Sequence, residues 1–147
     1  MIFIIVIFIL SLDQLTKLLV IKNLTLYQSV PVLKNIFHIT FVSNRGAAFG
    51  MLKNQVPVFI FAAFFAIVLI YVNIRKTQIK KISIYNLSLA LILAGAIGNL
   101  IDRLRFGYVV DFLDFRVWPV FNIADSAITI GAVLLGHTIL FTKSAKP

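Results

Sequence analysis

Residues 56–74 read VPVFIFAAFFAIVLIYVNI, without one charged side chain. As a helix rising 1.5 Å per residue this stretch is roughly 28 Å long, close to the thickness of a bilayer's hydrocarbon core. It predicts a membrane span, and the rest of the chain can be read outward from it. Downstream comes Arg75-Lys-Thr-Gln-Ile-Lys-Lys81, a short basic loop, and then a second apolar run from about 82 to 101. A further run covers about 121–141. Upstream, residues 2–21 are apolar apart from Ser11, Asp13, Gln14, Thr16 and Lys17. That run has no basic leader and no Ala-x-Ala type cleavage site, so it reads as a retained first helix rather than a signal peptide.

Composition agrees. The mean hydropathy is +1.01 and 61% of residues are hydrophobic, whereas soluble domains carry about a quarter charged residues. The 147 residues are expected to form a single integral membrane domain: a four-helix transmembrane bundle, all-α except for a small extracytoplasmic β-sheet. Basic residues concentrate in 75–81 and at Lys143 and Lys146, which by the positive-inside rule puts that loop and both termini in the cytoplasm. Segments of about 22–55 and 102–120 then lie outside. The net charge of +9 sits between apolar segments and not along one face, so it reads as a topology signal, and no nucleic acid partner is expected. With no cysteine and only His38 and His137, neither a metal nor a cofactor is expected. His38 reads as a strand surface residue, and His137 lies near the cytoplasmic end of the fourth span.

The outer segments carry strand signals. Residues 24–42 read as strands broken near Gln28-Ser29, with alternation clearest over Phe37-His38-Ile39-Thr40-Phe41. Asn44-Arg45-Gly46 supplies a turn, and Ala47-Ala48-Phe49-Gly50 supplies small residues where backbone or ligand can approach.

The acids are more telling. The chain has five aspartates, Asp13, Asp102, Asp111, Asp114 and Asp125, and no glutamate. By helical rise Asp13 lies roughly 18 Å from the cytoplasmic end of its span, and Asp125 only about 6 Å into the fourth from outside. All five therefore fall in one outer layer. A carboxylate in hydrocarbon costs about 2.5–3.5 kcal/mol or more, so it is paired or functional. Asp13 and Lys17 are spaced to pair along one helix face, and Asp102 with Arg103 can pair at a helix end. Asp125 has no basic residue within a turn, its polar neighbours being Asn122, Ser126 and Thr129. It is the best candidate for perturbed ionisation. Its partner should come from Val109-Val-Asp-Phe-Leu-Asp-Phe115. On a strand Asp111 and Asp114 point to opposite faces, so only one of them can meet Asp125. Two carboxylates brought together share a proton and offer one acid and one base, which is aspartyl protease chemistry.

Five segments, in order, carry a resemblance: Asp13-Gln-Leu-Thr-Lys17, Asn44-Arg-Gly-Ala-Ala-Phe49, Gly98-Asn-Leu-Ile-Asp-Arg103, Val109-Val-Asp-Phe112 and Phe121-Asn-Ile-Ala-Asp125. Together they resemble the lipoprotein signal peptidase family, or signal peptidase II, aspartyl proteases of the bacterial inner membrane. The resemblance implies an endopeptidase that removes the signal peptide from diacylglyceryl-modified prolipoproteins, on the amino side of the lipidated cysteine. It implies a catalytic dyad of Asp111 and Asp125, which selects Asp111 over Asp114. It also implies site-lining roles for Asn44, Gly46, Asn99, Arg103 and Asn122, structural roles for Asp13, Lys17 and Asp102, and a β-cradle for the outer strands. The partners it implies are the prolipoprotein, membrane lipid and peptide-like inhibitors of the globomycin type, met by a monomer. Two departures are a first helix that starts at residue 1 and a short connection between Phe115 and Phe121.

Two other classes fit membrane aspartates. A proton-coupled transporter needs acids or histidines through both halves of the membrane, and the cytoplasmic half here has no acid. A membrane assembly factor explains Asp13 with Lys17 but leaves Asp125 without a reason.

Overall fold

The computed structural model describes residues 2–46, 55–76 and 83–141, apart from the side chains of 74–76. The small-residue run 47–50, the basic side chains of the 75–81 loop, Lys143 and Lys146 lie outside the described residues. Four helices are each long and apolar enough to cross a membrane: α1 (Ile2–Asn23), α2 (Val56–Lys76), α3 (Ile84–Phe106) and α4 (Ile123–Phe141). In lipid the backbone must satisfy its own hydrogen bonds, and a continuous helix does so. Strands β1 (Ser29–Leu33), β2 (Phe37–Asn44) and β3 (Val109–Asp114) form one antiparallel sheet in the order β1-β2-β3.

α3 is the hub, touching each of the other helices. Of its apolar window 56% is buried within the protein, against none of α2's, so α2 is held mainly by α3 and by lipid. α3 and α4 approach closely because of glycine. A Cβ at Gly95 would overlap the carbonyl oxygen of Ala124, and one at Gly131 would come within 2.8 Å of the Ser88 carbonyl oxygen. The small residue at Gly95 thus lets α3 pack directly on the α4 backbone. Gly95→Ala should force the two helices apart at the turn that carries Asp125. The expected cost is about 1–3 kcal/mol, typical of overpacking, read as a lowered unfolding temperature in detergent together with slower turnover.

Several boundaries differ from the sequence reading. α3 runs five residues past the expected end at 101, with Arg103 and Arg105 in its last turn, where cations suit the helix dipole. It stops at Gly107, whose φ of 73° is left-handed. Asp102 is therefore inside the helix and not on a loop. α4 starts at 123 rather than 121, because Asn122 is its N-cap: the Asn122 side-chain oxygen accepts from the Asp125 backbone N–H at 2.8 Å. In the first outer segment the strand begins at Ser29, and the break falls at the turn 34–36, with Asn35 at φ 62°.

The alternation over 37–41 holds. Phe41 packs with Val20, Val110 and Phe112 above the helices, with Ile39 beside them. Thr40 is buried on the other face, where its hydroxyl donates to Asp114 at 2.7 Å. His38 meets the Ser29 hydroxyl at 3.0 Å, and His137 lies against the Phe141 ring near the far end of α4.

Candidate active site

The C-terminal halves of α1 and α3 and the N-terminal end of α4 converge beside β3, and the polar residues there form one continuous network. Its floor is Lys17, buried together with Asp13 and Asp102. The Lys17 ammonium contacts Asp13 Oδ2 and Asp102 Oδ2, each at 2.9 Å, and donates to Asn99 Oδ1 at 3.1 Å. The expected pairing of Asp102 with Arg103 is corrected by this geometry. Inside a helix, Asp102 turns inward to Lys17, while its oxygens also accept from the Val110 backbone N–H at 3.0 Å and from Gln14 at 3.1 Å. Asp13 reaches across to α4, where Oδ1 accepts from the Ala124 backbone N–H at 2.9 Å. A Cβ on Gly98 would sit 2.6 Å from Asp13 Oδ2, so Gly98 leaves the room that this carboxylate occupies.

Above the floor, the turn Phe121–Asp125 does two jobs. Asn122 and Asp125 cap the helix reciprocally. The Asn122 oxygen takes the Asp125 N–H, and Asp125 Oδ2 takes the Asn122 N–H at 3.3 Å. The Asn122 amide nitrogen meanwhile donates to Asp111 Oδ1 at 2.8 Å. Both carboxylates are thus hydrogen-bonded to one residue. Asp111 also accepts from Asn44 at 2.9 Å, and Asp125 from Asn99 at 2.7 Å. The lack of a cation near Asp125 on its own helix is made good by amides from neighbouring elements. A capping-box reading of Asn-x-x-Asp was available in the sequence and would have given Asp125 a structural reason as well.

Asp111 is buried at the centre of β3. Burial first, and then the nearby Asp125 charge, push its carboxyl up to about 7, against the amides of Asn44 and Asn122 and the Lys17 charge. Asp114 is a different acid. Its burial alone would raise it, but the bonds from Thr40 and from the Arg116 backbone and guanidinium outweigh this and hold it below the ordinary value. The strand period separates the two as expected: Asp111 faces the network, while Asp114 is paired with Arg116 at 2.9 Å.

A cavity of about 600 Å³ opens beside Asp125. Asn44, Gly46, Asn99 and Arg103 line its polar end. Arg103 stacks over the Phe59 ring of α2 at 5.0 Å, donates weakly to the Gly46 carbonyl at 3.4 Å, and lies within electrostatic reach of Asp125 and Asp111. Of the rest of the wall, Trp118, Pro119, Ile128 and Ile130 were not singled out by sequence. Trp118 alone carried a signal, as an interfacial aromatic in the short connection before α4.

The sequence pattern described as Signal peptidase (SPase) II matches residues 5–141. The chain belongs to the signal peptidase II family. Its relatives include the lipoprotein signal peptidases of Caldanaerobacter subterraneus subsp. tengcongensis, 54% identical over 94% of each chain, and of Halothermothrix orenii, 49% identical over 92% of each. That of Clostridioides difficile is 47% identical over 95% of each. A solved bacterial membrane enzyme superposes with a TM-score of 0.89 at 31% identity, covering 99% of this chain and 93% of that one. The signal peptidase II chain described here is therefore a membrane protease with four apolar helices and a three-stranded antiparallel sheet.

Proposed function

We propose that this protein is the aspartic endopeptidase that removes the signal peptide from diacylglyceryl-modified prolipoproteins, cutting on the amino side of the lipidated cysteine, with Asp111 and Asp125 as its catalytic dyad. The observation that carries the reading is the sharing of Asn122 by both carboxylates, which fixes an acid and a base across one small gap. The ionised member takes a proton from water as its oxygen attacks the scissile carbonyl carbon. The protonated member hydrogen-bonds the carbonyl oxygen and gives up its proton to it. Collapse of the tetrahedral diol expels the amine, which leaves with a proton, and the dyad returns to one proton between two carboxylates.

Asn44, Gly46, Asn99, Arg103 and Asn122 line this site, with Arg103 offering donors to the peptide backbone, while Asp13, Lys17 and Asp102 hold the helices beneath. The apolar remainder of the cavity suits a lipid-anchored substrate. The proposal includes one membrane domain in the bacterial inner membrane, both termini cytoplasmic, the dyad near the extracytoplasmic face, a monomeric state, and inhibition by peptide-like compounds of the globomycin type. The test is single-turnover cleavage of a diacylglyceryl-modified prolipoprotein by detergent-purified protein. Folded protein that cuts no lipidated substrate overturns the reading.

A pH dependence follows from Asp111. The dyad works only with one proton, and raising pH through about 7 removes it from Asp111, so kcat/KM should fall about tenfold per unit above that point. A profile flat to pH 9 would mean that Asp111 does not hold the shared proton.

A further inference from the structure

The mechanism above uses Lys17 only as a structural cation, yet its third hydrogen bond goes to a residue that touches the dyad. An ammonium has three N–H groups and no acceptor. Here they meet three oxygens: Asp13 Oδ2, Asp102 Oδ2 and Asn99 Oδ1. Because Lys17 only donates, the Asn99 oxygen must be the atom that faces it. The same oxygen also accepts from Asn122 Nδ2 at 3.1 Å. The Asn99 amide nitrogen is then left to face Asp125 Oδ1 at 2.7 Å. Without Lys17, one half of the constraint on this rotor is gone. In the flipped amide an oxygen faces Asp125, and two oxygens can bond only if the carboxyl is protonated. A dyad with both members protonated has no base.

We propose that Lys17 is a positioning residue for the reaction, holding the Asn99 amide in the one orientation that presents an N–H to Asp125. This rests on the protease reading. Among the described residues, the charged groups facing Asp125 are Lys17 and Asp13 from α1, Arg103 from α3 and Asp111 from β3, while Asp102 pairs with Lys17. A test therefore has to separate orientation from charge.

Two double variants do so, since each removes one positive and one negative charge. Lys17→Met/Asp102→Asn leaves nothing to donate to Asn99, whereas Lys17→Gln/Asp102→Asn keeps an amide N–H there. Single-turnover rates are measured from pH 4 to 9 on folded protein. The acidic limb of the methionine variant should move up by about one pH unit, so that the rate below that limb falls about tenfold, with substrate affinity unchanged. The glutamine variant should keep the wild-type profile. Equal shifts in both would assign the effect to charge, and unshifted profiles with lowered yield would assign Lys17 to structure alone; either overturns the proposal. Loss of cleavage in the wild type would instead overturn the protease reading. Should the methionine variant not fold, wild-type protein labelled with 15N-asparagine provides the check. The Asn99 side-chain resonance, assigned by its loss in Asn99→Ser, should follow the dyad titration, and a resonance that ignores it would refute the orientation.

Discussion

Asp125→Asn is expected to cut the single-turnover rate by at least about 10³-fold while folded yield stays close to wild type, and Asp111→Asn should do the same. A carboxamide cannot take a proton from water or share one with its neighbour, so general acid–base catalysis, worth about 10²–10⁴-fold for each group, is lost together with the coupling between the pair. The fold should survive because the substituted oxygen can still receive one of the native donors: the Asn122 N–H for position 125, or an amide of Asn44 or Asn122 for position 111. Asp114→Asn is the control. Asp114 is committed to Thr40 and Arg116 and lies outside the shared network, so that variant should still cut. Unfolded Asp125→Asn protein would favour a purely structural carboxylate, and an inactive Asp114→Asn would move the dyad assignment.

Lys17→Met alone should be the most damaging substitution for stability. It leaves Asp13 and Asp102 facing each other across a buried gap with side chains about 1% exposed. Breaking a buried ion pair by deleting one partner costs about 3–5 kcal/mol, because the remaining charge is uncompensated. Here two acids are orphaned, and one of them also holds the α4 backbone at Ala124. Thermal unfolding in detergent should show a large loss for Lys17→Met and a smaller one once Asp102→Asn is added. If the single and double variants unfold alike, the floor of the site is not an electrostatic unit.

What could be read from sequence followed from strong, local signals. Hydropathy over 18 or more residues finds α1 to α4 because lipid imposes one backbone solution on each. Period two finds β2, since Phe41 and Thr40 must face opposite sides, whereas β3 entered only as a supposition. The proposed dyad rests on the depth of Asp125 and the family resemblance. What was missed depended on contacts between distant segments. Asp102 pairs with Lys17, 85 positions away in the chain, and no spacing rule reaches that far. The end of α3 was placed too early because Asp102, Arg103 and Arg105 look like loop residues, whereas the burial of Asp102 and the Gly107 cap keep the helix going. The apolar wall of the cavity was invisible because, in a chain this rich in apolar residues, a lining residue looks like any other.

The turn from Phe121 to Asp125 has a consequence for how such an enzyme can diversify. Its five residues contain a wall of the cavity, the helix cap, the donor to one acid of the proposed dyad and the other acid itself. Each change there is judged twice, once by folding and once by chemistry, so this segment has little freedom to adapt to new cargo. More freedom lies just before the turn, where Val117 and the cavity-lining Trp118 are 92% and 62% exposed. Engineering of substrate range should therefore begin there and leave the turn untouched.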